Sequence, residues 1–188
     1  MSDFEFVSII LSVVVGLGMT RVLAGLAVVV EYRTRVRVDW PSVGWASGVL
    51  AWQIVFWLGT VNTWRSRTEW TFGNLSTLLL MGIALFLAAA LVLPQRIDLD
   101  TDLAERYEVI RKPFFSLFMA MAVLEVTDSL IPGIRNLMAL GPGYWIWQAI
   151  IFSLGLVGAS TANRRVHQML LLIFLGWLLI YVAQVYRI

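Results

Sequence analysis

The chain reads FEFVSIILSVVVGLGMTRVLAGLAVVV from Phe4 to Val30, and only Glu5 and Arg21 in that stretch are charged. A helix needs roughly 20 mostly apolar residues to cross a bilayer, so the stretch predicts a transmembrane helix. It is not typical of a cleavable signal peptide, because Asp3 and Glu5 stand where such a signal carries positive charge.

The rest of the sequence repeats this apolar pattern, separated by connectors that are short except for Pro94–Lys112. Six windows are therefore predicted to span a membrane: Phe4–Val30, Pro41–Trp64, Gly73–Leu93, Pro113–Ile131, Tyr144–Thr161 and Gln168–Tyr186. The predicted fold is all-α, a polytopic membrane helix bundle of six transmembrane helices. It forms one transmembrane domain over residues 1–188, with a first half at 1–94, a linker at 95–112 and a second half at 113–188.

The composition agrees with a membrane protein and excludes several other classes. Of the 188 residues 60% are hydrophobic and 14% are charged, whereas soluble domains carry about 25% charged residues. The net charge of +2 is too small for a nucleic-acid-binding stripe. Without cysteine the chain offers no thiolate ligand, and its single histidine cannot form a bis-His haem site within one chain. We expect no cofactor and no metal.

Basic residues are distributed unequally between the two sides of the predicted bundle. Nine Arg and Lys residues lie in the first, third and fifth connectors, against four on the other side. Cytoplasmic loops collect Lys and Arg, so both termini are predicted to be non-cytoplasmic, in a multi-pass protein of the cell (inner) membrane.

The third connector predicts a short helix of its own. Leu103, Tyr107 and Ile110 share one face between Thr101 and Lys112, and Asp100, Thr101 and Asp102 offer capping oxygens. We expect a cytoplasmic helix in the membrane interface, with Pro113 starting the next span. The alternative is a solvated linker.

Polar residues within the spans carry the functional hypothesis, because ionisable side chains are costly in the bilayer core. Counting about 1.5 Å per residue places Arg21 about 15 Å deep, Glu125 about 18 Å and Asp128 about 22 Å. The same count predicts a polar layer, which we interpret as an ion pathway: Arg21, Gln53, Glu125, Asp128, Gln148 and Tyr181.

Helix direction then predicts an Arg21–Glu125 ion pair, because side chains lean toward a helix N-terminus and these two spans run in opposite directions. Asp128 would lie one turn away as the unpaired carboxylate. We interpret the chain as a channel or carrier that conducts protons or another small cation, and this hypothesis depends on Arg21 having a carboxylate partner.

The alternative is a non-enzymatic assembly, accessory or lipid-binding protein in which the Arg21–Glu125 pair only fixes helix register. The first span also carries a small residue every fourth position: Ser8, Ser12, Gly16, Thr20 and Ala24. This stripe predicts a tight contact within the molecule, with a homo-oligomer seam as the alternative.

The two halves share short patterns in the same order, such as Trp52-Gln53 in the second span and Trp147-Gln148 in the fifth. Each half has three spans, so a duplicated half would enter the membrane inverted, as in many transporters. Chance similarity between apolar segments is the alternative.

No hydrolase, metalloprotease or phosphate-loop motif occurs, so we expect no enzymatic activity. Arg164, Arg165 and His167 form a basic cluster at a predicted membrane surface, which we interpret as an orientation signal or a site for anionic lipid headgroups. The expected partners are the lipid bilayer, a proton or small cation, and a second copy of the chain, with no nucleic acid.

Overall fold

The structure is a computed structural model that describes residues 3–35, 37–64, 70–96 and 102–186. The described chain forms the following helices: α1 (Asp3–Glu31), α2 (Trp40–Trp64), α3 (Phe72–Val92), α4 (Leu103–Leu130), α5 (Ile134–Ala139), α6 (Pro142–Ser160) and α7 (Arg164–Tyr186). The extended pairing in this part of the chain is a single bridge between Arg37 and Asp102.

Five of these helices are long and apolar enough to cross a membrane: α1, α2, α3, α6 and α7. The apolar helices indicate a helical membrane bundle, as the composition predicts. The fourth predicted span, Pro113–Ile131, lies in α4, which is not among the five. Six spans are therefore not confirmed.

The third connector differs from its prediction. Residues Leu103–Leu130 form one continuous helix with Pro113 inside it, so the expected interfacial helix is the first part of α4. Its N-cap is Asp102, whose carboxylate accepts from the Ala104 N–H at 2.7 Å. The apolar face of this segment is buried against the protein, with Leu103 1% and Tyr107 3% exposed. Asp100 and Thr101 lie outside the described residues.

The long helices form a ring in the order α1, α3, α4, α6, α7 and α2, and α2 also contacts α3 and α4. We call the end where α2, α4 and α7 begin the connector end, and the opposite end, near α5, the terminal end. In the first half the backbones of α1 and α3 pack closely together, whereas in the described part of the second half α4 and α7 meet only through side chains, such as the Phe118 and Phe174 rings at 5.6 Å. These contacts do not confirm the inverted repeat.

An aromatic cluster fills the core on the connector side of the bundle. Trp45 is fully buried, and its ring centroid lies 5.0–5.8 Å from those of four phenylalanines. We call these five residues the aromatic plug: Trp45, Phe114, Phe115, Phe118 and Phe174. Such edge and offset contacts stabilise the core beyond simple area burial.

Two glycines bring α4 and α6 into close contact. A Cβ at Gly155 would lie 2.9 Å from the Phe115 carbonyl oxygen, and one at Gly158 would lie 2.5 Å from the Phe115 ring. The backbones approach so closely because these positions lack side chains.

The predicted small-residue stripe of α1 is not a tight contact. Ser12 and Thr20 are exposed, and nothing lies within 4 Å of a Cβ placed at Gly16. The buried face of α1 instead includes Val7, Leu11, Val15, Val22 and Val29. The close approaches of α1 are at Gly18, against Gln53, and at Gly25, against Leu93.

Candidate functional site

A cavity of about 290 Å³ lies in the half of the bundle nearer the terminal end. Every long helix except α1 contributes to its wall: Trp52, Val55, Phe56, Gly59, Thr60, Leu78, Met81, Met121, Glu125, Asp128, Ser129, Leu140, Tyr144, Trp147 and Tyr181. Glu125, Asp128 and Tyr181 are partly exposed, so the cavity is not sealed.

Glu125 is held at the cavity wall by α6. The indole Nε1 of Trp147 donates a hydrogen bond to Glu125 Oε2 at 3.2 Å. One helical turn away, the Tyr144 hydroxyl donates to Ser129 Oγ at 3.0 Å, which ties the same two helices together. Trp147 therefore contributes both a wall of the cavity and a donor to its carboxylate.

Asp128 is held by α3. Its Oδ1 accepts from the Thr77 hydroxyl at 2.7 Å and from Asn74 Nδ2 at 3.3 Å. Asn74 is itself fixed at the start of α3, where its N–H donates to the N-cap Thr71. Both donors reach Oδ1, so this network orients the carboxylate without using Oδ2.

The charge in the cavity is negative and has no basic counterpart nearby. None of the described residues that line it is Lys, Arg or His. Neither carboxylate forms a salt bridge within the described part of the chain. A cavity with this charge attracts a cation.

Arg21 lies far from both carboxylates, so the predicted Arg21–Glu125 ion pair is wrong. The Arg21 carbonyl accepts from Gln95 Nε2 at 2.9 Å, beyond the last residue of α3, whereas Asp128 contacts Thr77 near its start. Gly18 lies beside Phe86 of α3, so Arg21 is level with about residue 89, some twelve residues past Thr77. At about 1.5 Å per residue, this separates Arg21 from Asp128 by roughly 18 Å along the bundle, and from Glu125, one helical turn nearer, by roughly 13 Å.

The position of Arg106 supports this separation. Burial, and secondarily the charge of Arg21, lowers the pKa of the Arg106 guanidinium, which donates to the Leu91 carbonyl at 2.9 Å. Arg21 is exposed near these groups at the connector end. The depth count failed because α1 extends past α3: Gly25 already packs on Leu93, so the last turns of α1 lie beyond the end of its neighbour.

The structure thus brings three of the six predicted pathway residues to one cavity, namely Glu125, Asp128 and Tyr181. Gln53 is fully buried between α1 and α3, with Nε2 3.5 Å from the Leu85 carbonyl, and does not line the cavity. Gln148 does not line this cavity either, although its side chain lies close to Glu125; it borders a second, more apolar cavity between α4 and α6 together with Phe152.

The predicted headgroup cluster is only partly at the surface. Arg165 is exposed, and Arg164 forms an ion pair with the buried Asp39. His167 is fully buried, so its predicted role toward headgroups is wrong.

His167 instead links α4 to the α6–α7 turn. Its Nε2 lies 2.8 Å from the Thr161 carbonyl and its Nδ1 lies 2.9 Å from the Tyr107 hydroxyl. A carbonyl only accepts, so Nε2 donates and Nδ1 accepts. Burial raises the pKa of the Tyr107 phenol, which keeps this hydroxyl protonated as the donor.

Sequence reasoning missed the aromatic and hydroxyl partners of the two carboxylates. Trp147 appeared only as half of a repeated Trp-Gln pair, and Asn74 and Thr77 not at all. The Thr71-x-x-Asn74 spacing at the start of α3 is a helix-capping pattern that could have drawn attention to that region. Comparisons of the chain with protein families, with curated proteins and with solved structures found no match.

Proposed function

We propose that the protein is a non-enzymatic membrane carrier that takes up a small cation in the cavity at Glu125 and Asp128. The observation that carries the proposal is the pair of carboxylates in a partly open cavity whose described lining contains no basic residue. Intramembrane carboxylates are characteristic of ion and proton pathways. The form of the transport hypothesis that depends on Arg21 fails, because Arg21 forms no salt bridge within the described residues. The present proposal rests on the two carboxylates and their cavity alone.

A carrier fits this geometry better than an open channel. Between the cavity and the connector end, the aromatic plug fills the core with side chains that are at most 1% exposed. Beyond the plug, Arg111 Nη1 donates to the Ala159 carbonyl at 2.7 Å, so the ends of α4 and α6 are also held together. A cation that reaches the cavity from the terminal end therefore needs a conformational change of the protein to leave at the connector end.

Within this proposal α4 is the sixth transmembrane helix. It packs between α3 and α6, which are both long and apolar enough to span a membrane. The bias of basic residues predicts that the connector end faces the cytoplasm. The cavity, which lies toward the opposite end, therefore opens on the non-cytoplasmic side of the cell membrane.

The test is cation flux into proteoliposomes that contain the purified protein. An inward gradient of protons or of potassium is imposed in separate experiments, and lumenal pH or potassium is followed with an entrapped dye. We expect flux above that of protein-free liposomes for at least one of these ions. We also expect Glu125→Gln combined with Asp128→Asn to abolish it.

The matched control is Glu105→Gln, which removes one negative charge from the exposed connector-end part of the same helix. This variant should retain wild-type flux. Background flux with both gradients, or equal flux in the wild type and the double variant, would overturn transport of these ions through the cavity.

A further inference from the structure

The geometry points to an organic cation, an ammonium group bearing apolar substituents, as the ligand of this cavity. This inference rests on the proposed function for its physiological meaning, since it names the class of cation carried. It rests on the aromatic walls of the cavity, because a proton or an inorganic ion could bind to the carboxylates without such walls.

Aromatic rings surround the two carboxylates. The Trp147 and Tyr181 rings are stacked, with centroids 6.1 Å apart, and Trp52 meets Trp147 edge to face at 6.4 Å. Phe56 and Tyr144 complete the aromatic part of the lining. The faces of such rings attract cations, most strongly where the cation is poorly hydrated, and cages of this kind recognise alkylated ammonium groups.

Trp147 couples the two kinds of recognition. Its N–H donates to Glu125 while its ring stacks on Tyr181, so the carboxylate and the aromatic wall have a fixed relative position. A ligand whose positive charge is surrounded by methyl or methylene groups can contact the rings and the carboxylate together. Its charge stays close to Glu125 without a shell of water.

The size of the cavity suits such a ligand. Its volume of about 290 Å³ lies at the lower limit for small-molecule sites, which begin near 300 Å³. A hard metal ion is bound by about six or more oxygen ligands, and this lining is mostly aromatic and aliphatic. No group of three metal-ligating side chains occurs in the described ranges.

Binding of radiolabelled benzyltrimethylammonium to the protein in dodecyl maltoside micelles, measured by equilibrium dialysis, tests the inference. Choline and 3,3-dimethylbutan-1-ol serve as competitors, because they have nearly the same shape and differ in charge. We expect saturable binding that choline displaces and the neutral alcohol does not.

Two pairs of variants separate charge from ring contacts. We expect Glu125→Gln to weaken binding about tenfold or more, while Glu105→Gln leaves it unchanged. We expect Tyr181→Leu to weaken binding about three- to tenfold, while Tyr181→Phe, which keeps the ring, retains it. Thermal unfolding of all four variants identifies any loss of binding that is caused by misfolding.

The outcomes distinguish the inference from the proposed function. Absence of saturable binding, equal competition by the neutral alcohol, or equal binding by the two Tyr181 variants would overturn the organic cation. In that case, proton or potassium flux that depends on Glu125 would still support the proposed carrier. Saturable binding with the expected variant pattern but without flux of any cation, including the probe, would support the ligand class and overturn the carrier.

Discussion

The indole N–H of Trp147 donates to Glu125 Oε2 at 3.2 Å, so one side chain both positions a carboxylate and forms the wall beside it. Trp147→Phe should separate these roles, because the ring is kept and the donor is lost. Hydrogen bonds to charged groups contribute about 1.5–3 kcal/mol, so we expect the substitution to lower the free energy of unfolding in detergent by an amount in that range. Cation affinity should change as well.

Trp177 offers the control, since its ring stacks on Trp147 while its buried Nε1 makes no hydrogen bond in the described part of the chain. Trp177→Phe should change stability by less than Trp147→Phe does. Equal losses in the two variants would show that the bond to Glu125 contributes nothing measurable.

Arg21 and Glu125 should behave as independent sites. Residues more than about 10 Å apart without shared partners give additive effects within about 0.5 kcal/mol. We therefore expect a double-mutant cycle of Arg21→Leu and Glu125→Leu, read by unfolding in detergent, to show a coupling energy below about 0.5 kcal/mol. Cation flux should also survive Arg21→Leu. A coupling energy of several kcal/mol would contradict this expectation and would indicate that Arg21 and Glu125 form an ion pair.

The contact at Gly158 predicts a strong effect for the smallest substitution. Gly158→Ala places a methyl group 2.5 Å from the buried Phe115 ring, and overpacking of this kind costs about 1–3 kcal/mol. Gly176→Ala is the matched change on α7, where a Cβ has nothing within 4 Å, and it should be neutral or stabilising by up to about 1 kcal/mol. Unfolding in detergent compares the two, and an equal effect in both would contradict the close helix contact.

Arg111 should be important for stability at the connector end. It is 8% exposed, and its Nη1 donates to the carbonyls of Gly158 and Ala159 at 3.2 and 2.7 Å, where α6 has no further helical N–H to pair them. Arg111→Gln should cost about 2–4 kcal/mol, because each lost bond to a charged group contributes about 1.5–3 kcal/mol and the glutamine recovers part of this.

Arg165→Gln removes the same charge from an exposed position, and it should change the free energy of unfolding by less than about 0.5 kcal/mol. Thermal unfolding of the two variants in one detergent is the measurement. A cost for Arg165→Gln as large as that for Arg111→Gln would assign the effect to net charge rather than to these bonds.

Sequence patterns predicted the helices well because apolar length alone identifies a membrane helix. They also predicted that Glu125 and Asp128 share a face, since residues three apart on a helix are neighbours. The prediction for Arg21 failed because depth was counted along each helix separately. How far α1 overhangs α3 is set by the contact of Gly25 with Leu93, which no single helix reveals.

Continuity through Pro113 was missed for a similar reason. The apolar face at Leu103 and Tyr107 is covered by other helices of the bundle, and this burial favours one helix over a break. The convergence of aromatic side chains around the carboxylates was not predicted, because it depends on how five helices meet.

The glycine contact between α4 and α6 limits how the bundle can move. Glu125 belongs to one of these helices and Trp147 to the other, and their backbones approach closely at Gly155, where a Cβ would lie 2.9 Å from the Phe115 carbonyl oxygen. Sliding one helix along the other would bring the side chains that flank these glycines against the opposite helix, so we expect the pair to shift as a rigid unit that keeps the acid and its indole together. Any rearrangement that turns the cavity toward the opposite side of the membrane therefore has to occur where this unit borders α2, α3 and α7.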